Sequence, residues 1–131
     1  MADAGFSRRL KDLMKYKPDF TTKDAEKLKR GRHFRIGEAK IIVGRNQKEN
    51  RFLNLLRDGD TVFEAEDTVG PITLLEGKLT QEAVELAARI TARYSDAKNQ
   101  EKVKVRYEIK GEKNYIEVKP MQDEVLNQYR L

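Results

Sequence analysis

The densest chemistry in the chain falls within seven residues, Lys29-Arg30-Gly31-Arg32-His33-Phe34-Arg35, where four cations, an imidazole and an aromatic ring follow one another. The arginine fork matches the oxygens of a phosphate, and guanidinium planes and aromatic rings both stack on bases. An imidazole among such cations could contact a phosphate or an unpaired base; the plainer fate for His33 is a structural or surface group. If residues 32–36 form a strand, Arg32 and Phe34 point to one side and His33 and Arg35 to the other. Only one of these pairs can then line a groove, and Phe34 is expected in the core.

Val43-Gly44-Arg45-Asn46 places a glycine and an arginine where a strand enters a helix. Helix N-termini attract anions through unpaired N–H groups and the dipole, so Arg45 and Asn46 there suit a phosphate. A tight turn at Gly44 and a simple cap at Asn46 explain the same residues. Arg93 and Lys98 flank the end of the longest predicted helix, where cations complement the dipole. Lys102, Lys104 and Arg106 alternate along one strand face, either as a stripe that follows a backbone or as a guard on an open edge.

Machinery for bond-breaking is harder to find. No phosphate-binding glycine loop, nucleophile elbow or HExxH pattern is present. Without cysteine, thiolate chemistry and Cys-ligated zinc are excluded, and one histidine excludes any site needing two imidazoles. Glu64-Ala65-Glu66-Asp67 could face a hard cation, but reads better as the solvent side and end of a strand. No catalytic or metal residue is therefore assigned.

The charge distribution points the same way. Residues 1–45 hold 13 Lys/Arg and 6 Asp/Glu, a net of +7, whereas residues 46–131 hold 14 and 16, a net of −2. The positive excess of the chain thus lies in its first third, which suggests a basic face and a polyanionic partner; a solvated, lysine-rich surface explains the same balance. No run approaches the ~20 apolar residues of a membrane span, and Met1–Leu10 lacks the apolar core of a signal peptide, so a soluble, cytoplasmic protein is the default.

The elements that must position these residues are legible as a helical N-terminal arm followed by a compact α+β unit. Phe6, Leu10, Leu13 and Met14 recur at helical spacing behind Ser7, and Pro18 stops that helix. Thr22 caps a short helix to Lys29, stopped by Gly31. His33–Ile36 and Lys40–Gly44 form a hairpin across Gly37-Glu38-Ala39. Asn46 and Glu49 open a helix to Leu56 whose buried face is Phe52, Leu53, Leu55 and Leu56. Strands follow at 61–66 and 72–75, a long helix from Thr80, and a hairpin of 103–109 with 115–118. The tail 121–131 forms one loose helix or frays. The fold class is α+β, a small mixed or antiparallel sheet of about five to six strands packed by two main helices.

An ordered set of residues carries a family resemblance. Ile41-Ile42-Val43-Gly44-Arg45-Asn46 with Glu49-Asn50 and Leu53, then Gly70-Pro71, then Ala87-Ala88 leading to Tyr94-Ser95 and Ala97-Lys98 before a Val-x-Val-x-Tyr strand, resembles the NFACT-R RNA-binding domain. Gly5-Phe6-Ser7-Arg8-Arg9-Leu10-Lys11-Asp12-Leu13 and Leu28–Arg35 resemble the junction in bacterial PP-loop ATPases of the tRNA 2-thiouridylase type, where such a domain follows the catalytic one. The resemblance implies three parts: a basic arm or linker over 1–31, the NFACT-R-like domain over 32–120 and a tail over 121–131. It implies tRNA or another structured RNA as partner, and an upstream PP-loop ATPase domain in the same chain or complex. It implies no cofactor in this chain, ATP belonging to that catalytic domain. The PP-loop signature and catalytic cysteines of the enzyme class are absent here, so binding alone carries over, as a non-catalytic module of a tRNA-modifying sulfurtransferase. The RNA-binding candidates are Arg30, Arg32, His33, Arg35, Arg45, Asn46, Arg93, Lys98 and Lys104. NFACT-R domains often carry an aromatic residue and His-Ala before their Gly-Ser or Gly-Pro turn. Here the stretch is Phe63-Glu64-Ala65, and Glu64 in place of that histidine removes the basis for an RNA contact there. The alternative is a protein-interaction or ribosome-docking domain without direct tRNA recognition.

Overall fold

In the computed structural model, which describes residues 4–57 and 59–131, alternation and turn chemistry set the frame. The elements run α1 (Ala4–Tyr16), α2 (Thr22–Lys27), β1 (Arg32–Ile36), β2 (Ala39–Val43), α3 (Gln47–Leu55), β3 (Thr61–Ala65), β4 (Thr73–Glu76), α4 (Gln81–Arg93), β5 (Val103–Ile109), β6 (Glu112–Val118) and α5 (Asp123–Tyr129). The six strands form one sheet in the order β1-β2-β4-β3-β5-β6, with every neighbour antiparallel. The α+β class, the strand count and the helical start agree with the sequence reading.

One face of the sheet meets α4. Its Ala83, Ala87, Ala88 and Ala92 are buried, and such small side chains let the helix lie close to Phe63, Leu75 and Val105. Thr80 caps the helix, accepting from the Ala83 N–H at 3.0 Å. Burial of a ring such as Phe63 contributes about 1.5–3 kcal/mol. The opposite face carries a smaller core of Ile42, Leu53, Val62 and Leu74 beneath α3.

Several local expectations change. Thr21, not Thr22, caps α2, because its hydroxyl accepts from the Asp24 N–H while Asp24 reaches back to the Thr21 N–H, a reciprocal capping box. Leu55 is 80% exposed, since α3 turns only Leu53 fully inward. The tail neither frays nor hangs loose. Met121 and Leu126 are buried in the main core, the Leu131 N–H donates to His33 O at 2.9 Å, and Arg130 bridges to Phe34. The C-terminus thereby covers the outer edge of β1. The cationic strand β5 lies between β3 and β6, so its lysines guard no edge.

The N-terminal arm is docked as firmly. Leu13 and Leu28 are buried, Arg9 Nε donates to Leu28 O at 2.9 Å, and Asp12 of α1 grips Arg35 of β1.

Candidate nucleic-acid interface

The first candidate cations part company at β1. Arg32 shares the α4 side with Phe34, and its guanidinium lies 4.3 Å from the centroid of the Tyr94 ring. This is a cation–π contact that anchors the guanidinium on the ring. Burial lowers the Arg32 pKa, and Arg130 and Arg45 push the same way, which places three guanidinium groups in one neighbourhood. Register explains two of them: Arg32 pairs with Val43, so Arg45 emerges just past the end of the same ladder. Arg130 arrives from the C-terminal bridge and lies 5.6 Å from the Phe34 ring. Arg30, one turn earlier, packs 4.1 Å above Phe52 of α3.

His33 is not part of this surface. It is 1% exposed. Its Nε2 lies 2.7 Å from Arg30 O, and a carbonyl only accepts, so Nε2 carries the proton. Nδ1 has no partner. Burial first, then nearby Lys40, hold the imidazole pKa down to about 3. His33 is therefore a neutral structural group, and its expected RNA contact is withdrawn.

Arg35, on the same side as His33, is also unavailable. Its Nε lies 3.0 Å and its Nη2 2.5 Å from the Asp12 carboxylate, and Tyr16 stacks on it at 3.9 Å. Arg93 is likewise committed, with Nη2 2.7 Å from Asp123. Lys98 is exposed beyond the end of α4, at a shallow depression shared with Arg93, Asp123 and Glu124. Lys104 points to the other side of the sheet, 4.8 Å from the exposed Tyr115 ring. Arg106 beside it is neutralised by Glu64 and Glu66, which is what those acidic residues do. One continuous cationic surface through all the candidates is thus not formed.

The α3 entrance contains its own anion. Asn46 caps the helix by accepting from the Glu49 N–H at 2.9 Å. The Glu49 carboxylate accepts from the Arg45 N–H at 3.0 Å and takes the Arg45 guanidinium at 2.9 and 2.7 Å. These bonds, with Arg45 the largest influence, hold the Glu49 pKa down to about 2. The place envisaged for a phosphate is occupied by a side-chain carboxylate. Gly44 is needed less for a turn than for room: a Cβ there would meet Asn50 Oδ1 at 2.0 Å, the oxygen that accepts from the Ile72 N–H at 3.1 Å.

What remains is Arg32 on the Tyr94 ring with Arg45 and Arg130 in its neighbourhood, offset by Glu49, and, separately, Arg30 on Phe52 of α3. Arg130 was missed from sequence because nothing in the tail's pattern shows that it returns to β1. A model of the NFACT protein RNA binding domain matches residues 31–130. The chain belongs to this NFACT RNA-binding domain family. The match runs from the glycine preceding β1 to Arg130, and so spans all of this group except Arg30. No curated protein matches the sequence. Among solved structures, the C-terminal part of the fibronectin/fibrinogen-binding protein from Streptococcus suis shares the NFACT-type fold with a TM-score of 0.68 at 17% identity. That alignment covers all of this chain and 62% of the other, so the chain spans less than two thirds of its length. No helix among the described residues is long and apolar enough to cross a membrane.

Proposed function

We propose that this NFACT-type domain binds tRNA through the arginine group at the β1–α3 corner and holds it for a separate thiolating domain of the PP-loop ATPase type. The observation that supports the reading is Arg32 held against Tyr94 with Arg45 and Arg130 close enough to act on its charge, within a chain whose family is RNA-binding. Phosphate contacts supply the affinity, and the Arg32 fork with its ring favours an unpaired segment in which bases are open to stacking. Lys98 and Lys104 extend the surface only peripherally, one past α4 and one on the far face.

A gel-shift titration with tRNA at two salt concentrations tests the binding. Steep weakening with salt, and loss of binding in an Arg32→Ala/Arg130→Ala double variant, support it. Equal, negligible binding at both salts overturns it in favour of a protein-docking role. Thiolation context is tested separately, by asking whether a PP-loop ATPase thiolates tRNA faster with the domain than without it.

A further inference from the structure

On the side of the sheet away from α4, the α1–α2 arm closes over β2 and β4 and leaves a cavity of about 330 Å³. This volume suits a small metabolite. Charged side chains line it, and most are spent on one another. Lys17 Nζ lies 3.0 Å from Asp24, Lys27 Nζ bridges Asp60 at 2.9 Å and Glu76 at 2.7 Å, and Arg35 is held by Asp12.

Lys40 is different. It lines the same cavity, is 4% exposed, and its ammonium has no hydrogen bond or ion pair among the described residues. Glu76 and Asp12 attract it only from a distance, while Arg35 and Arg9 repel it. At the cavity wall without a direct counter-ion among the described residues, the ammonium is left to the cavity's solvent, and a ligand anion there would give it a partner. Burial accordingly lowers its pKa to about 8, which leaves it mostly protonated at neutral pH.

We propose that this cavity is a binding site for the phosphate or carboxylate group of a small metabolite, seated on the Lys40 ammonium. Lys17 pairs with Asp24, and Lys27 with Asp60 and Glu76, so these carboxylates have cations of their own. Lys17 and Lys23 stand at the exposed side of the lining. The Arg32–Tyr94 pair lies on the other, α4 side of the sheet.

Titration of the full chain with inorganic phosphate and, separately, acetate at constant ionic strength, followed by amide NMR, tests the proposal. Saturable shifts at Thr21, Lys40 and Gly77 are expected, and the probe that binds tighter identifies the oxyanion. The lysine side-chain carbon signal of Lys40 should titrate at higher pH when the site is filled. Lys40→Met should weaken binding by about tenfold or more, without lowering thermal stability. Absent or non-saturable shifts, an unmoved Lys40 titration, or unchanged binding in Lys40→Met overturns the site.

Discussion

The Arg32 guanidinium lies over the Tyr94 ring at 4.3 Å, so the end of α4 presents the cation that strand β1 supplies. This contact anchors the guanidinium on the ring. Arg32→Ala should weaken tRNA binding by roughly tenfold, and lower the slope of log affinity against log salt by about one. Arg32→Lys, which keeps the charge and loses the fork, should fall between the two. Anisotropy titrations at several salt concentrations measure both quantities; an unchanged slope in Arg32→Ala removes Arg32 from the interface.

Glu49 stabilises the fold and restrains binding at once. Its pKa is about 2 in the folded chain against an ordinary 4.5. A depressed carboxyl contributes stability that is present above pH 4.5 and lost as pH falls toward 2. Arg45 is half exposed, so the effect is discounted to about 1–2 kcal/mol. Glu49→Gln should therefore lower stability by about that amount near neutrality, remove the corresponding acid loss, and raise tRNA affinity about threefold by freeing Arg45. Denaturation across pH together with binding at one salt gives the two signs; a variant that is both weaker and less stable contradicts the counter-ion role.

His33 gives the opposite result from the one its neighbours suggest. Its folded pKa of about 3 lies below the ordinary 6.5. The unfolded chain then binds the extra proton, and stability falls as pH drops through that window by up to about 1.4 kcal/mol per pH unit. His33→Gln, which keeps a donor for Arg30 O, should flatten this acid limb and leave tRNA affinity within about twofold. Imidazole NMR should show no titration between pH 5 and 8 in the native protein.

Space rather than flexibility governs Gly44. A methyl group there collides with Asn50 Oδ1 and threatens the bond from the Ile72 N–H. Gly44→Ala should cost about 1–3 kcal/mol by overpacking. Thermal unfolding checks it, and a melting temperature equal to that of the native chain would show that Asn50 moves aside freely.

These residues also show what a sequence can and cannot disclose. Alternation assigned Phe34 to the core and separated it from His33 and Arg35, since period two is a local property. The Asn46 cap and the start of the long helix at Thr80 were legible for the same reason. Partners distant along the chain were not. Arg35 is quenched by Asp12 from 23 residues away and Lys27 by Glu76 from 49, and no local pattern marks either pairing. That its strand splits the basic segment 29–35 was legible; that Asp12 takes Arg35 and leaves Arg32 as the side with a ring to rest on was not. Arg130 was invisible until the C-terminus was seen to run beside β1.

The least legible of these partnerships makes a pH-dependent prediction. Lys27 is buried between two carboxylates, Asp60 and Glu76. Burial alone would lower its pKa, but the carboxylates raise it overall. Burial and the neighbouring Glu76 push Asp60 upward to about 7 against the restoring pull of Lys27. A raised carboxyl means that the folded chain holds a proton the unfolded chain has lost, so this group costs stability as pH rises from 3.8 toward 7. Lys27→Met takes away the only cation directly paired with both carboxylates among the described residues. The two must then either share a proton or repel each other unpaired. Destabilisation should reach about 3–5 kcal/mol at pH 8 and be clearly smaller at pH 5, where a proton substitutes for the ammonium. Adding Asp60→Asn to Lys27→Met should recover much of the loss at pH 8 and little at pH 5. Chemical denaturation of both variants at the two pH values decides the matter, and equal losses at pH 5 and 8 would show that the Lys27 stem, not its charge, holds the arm to the sheet.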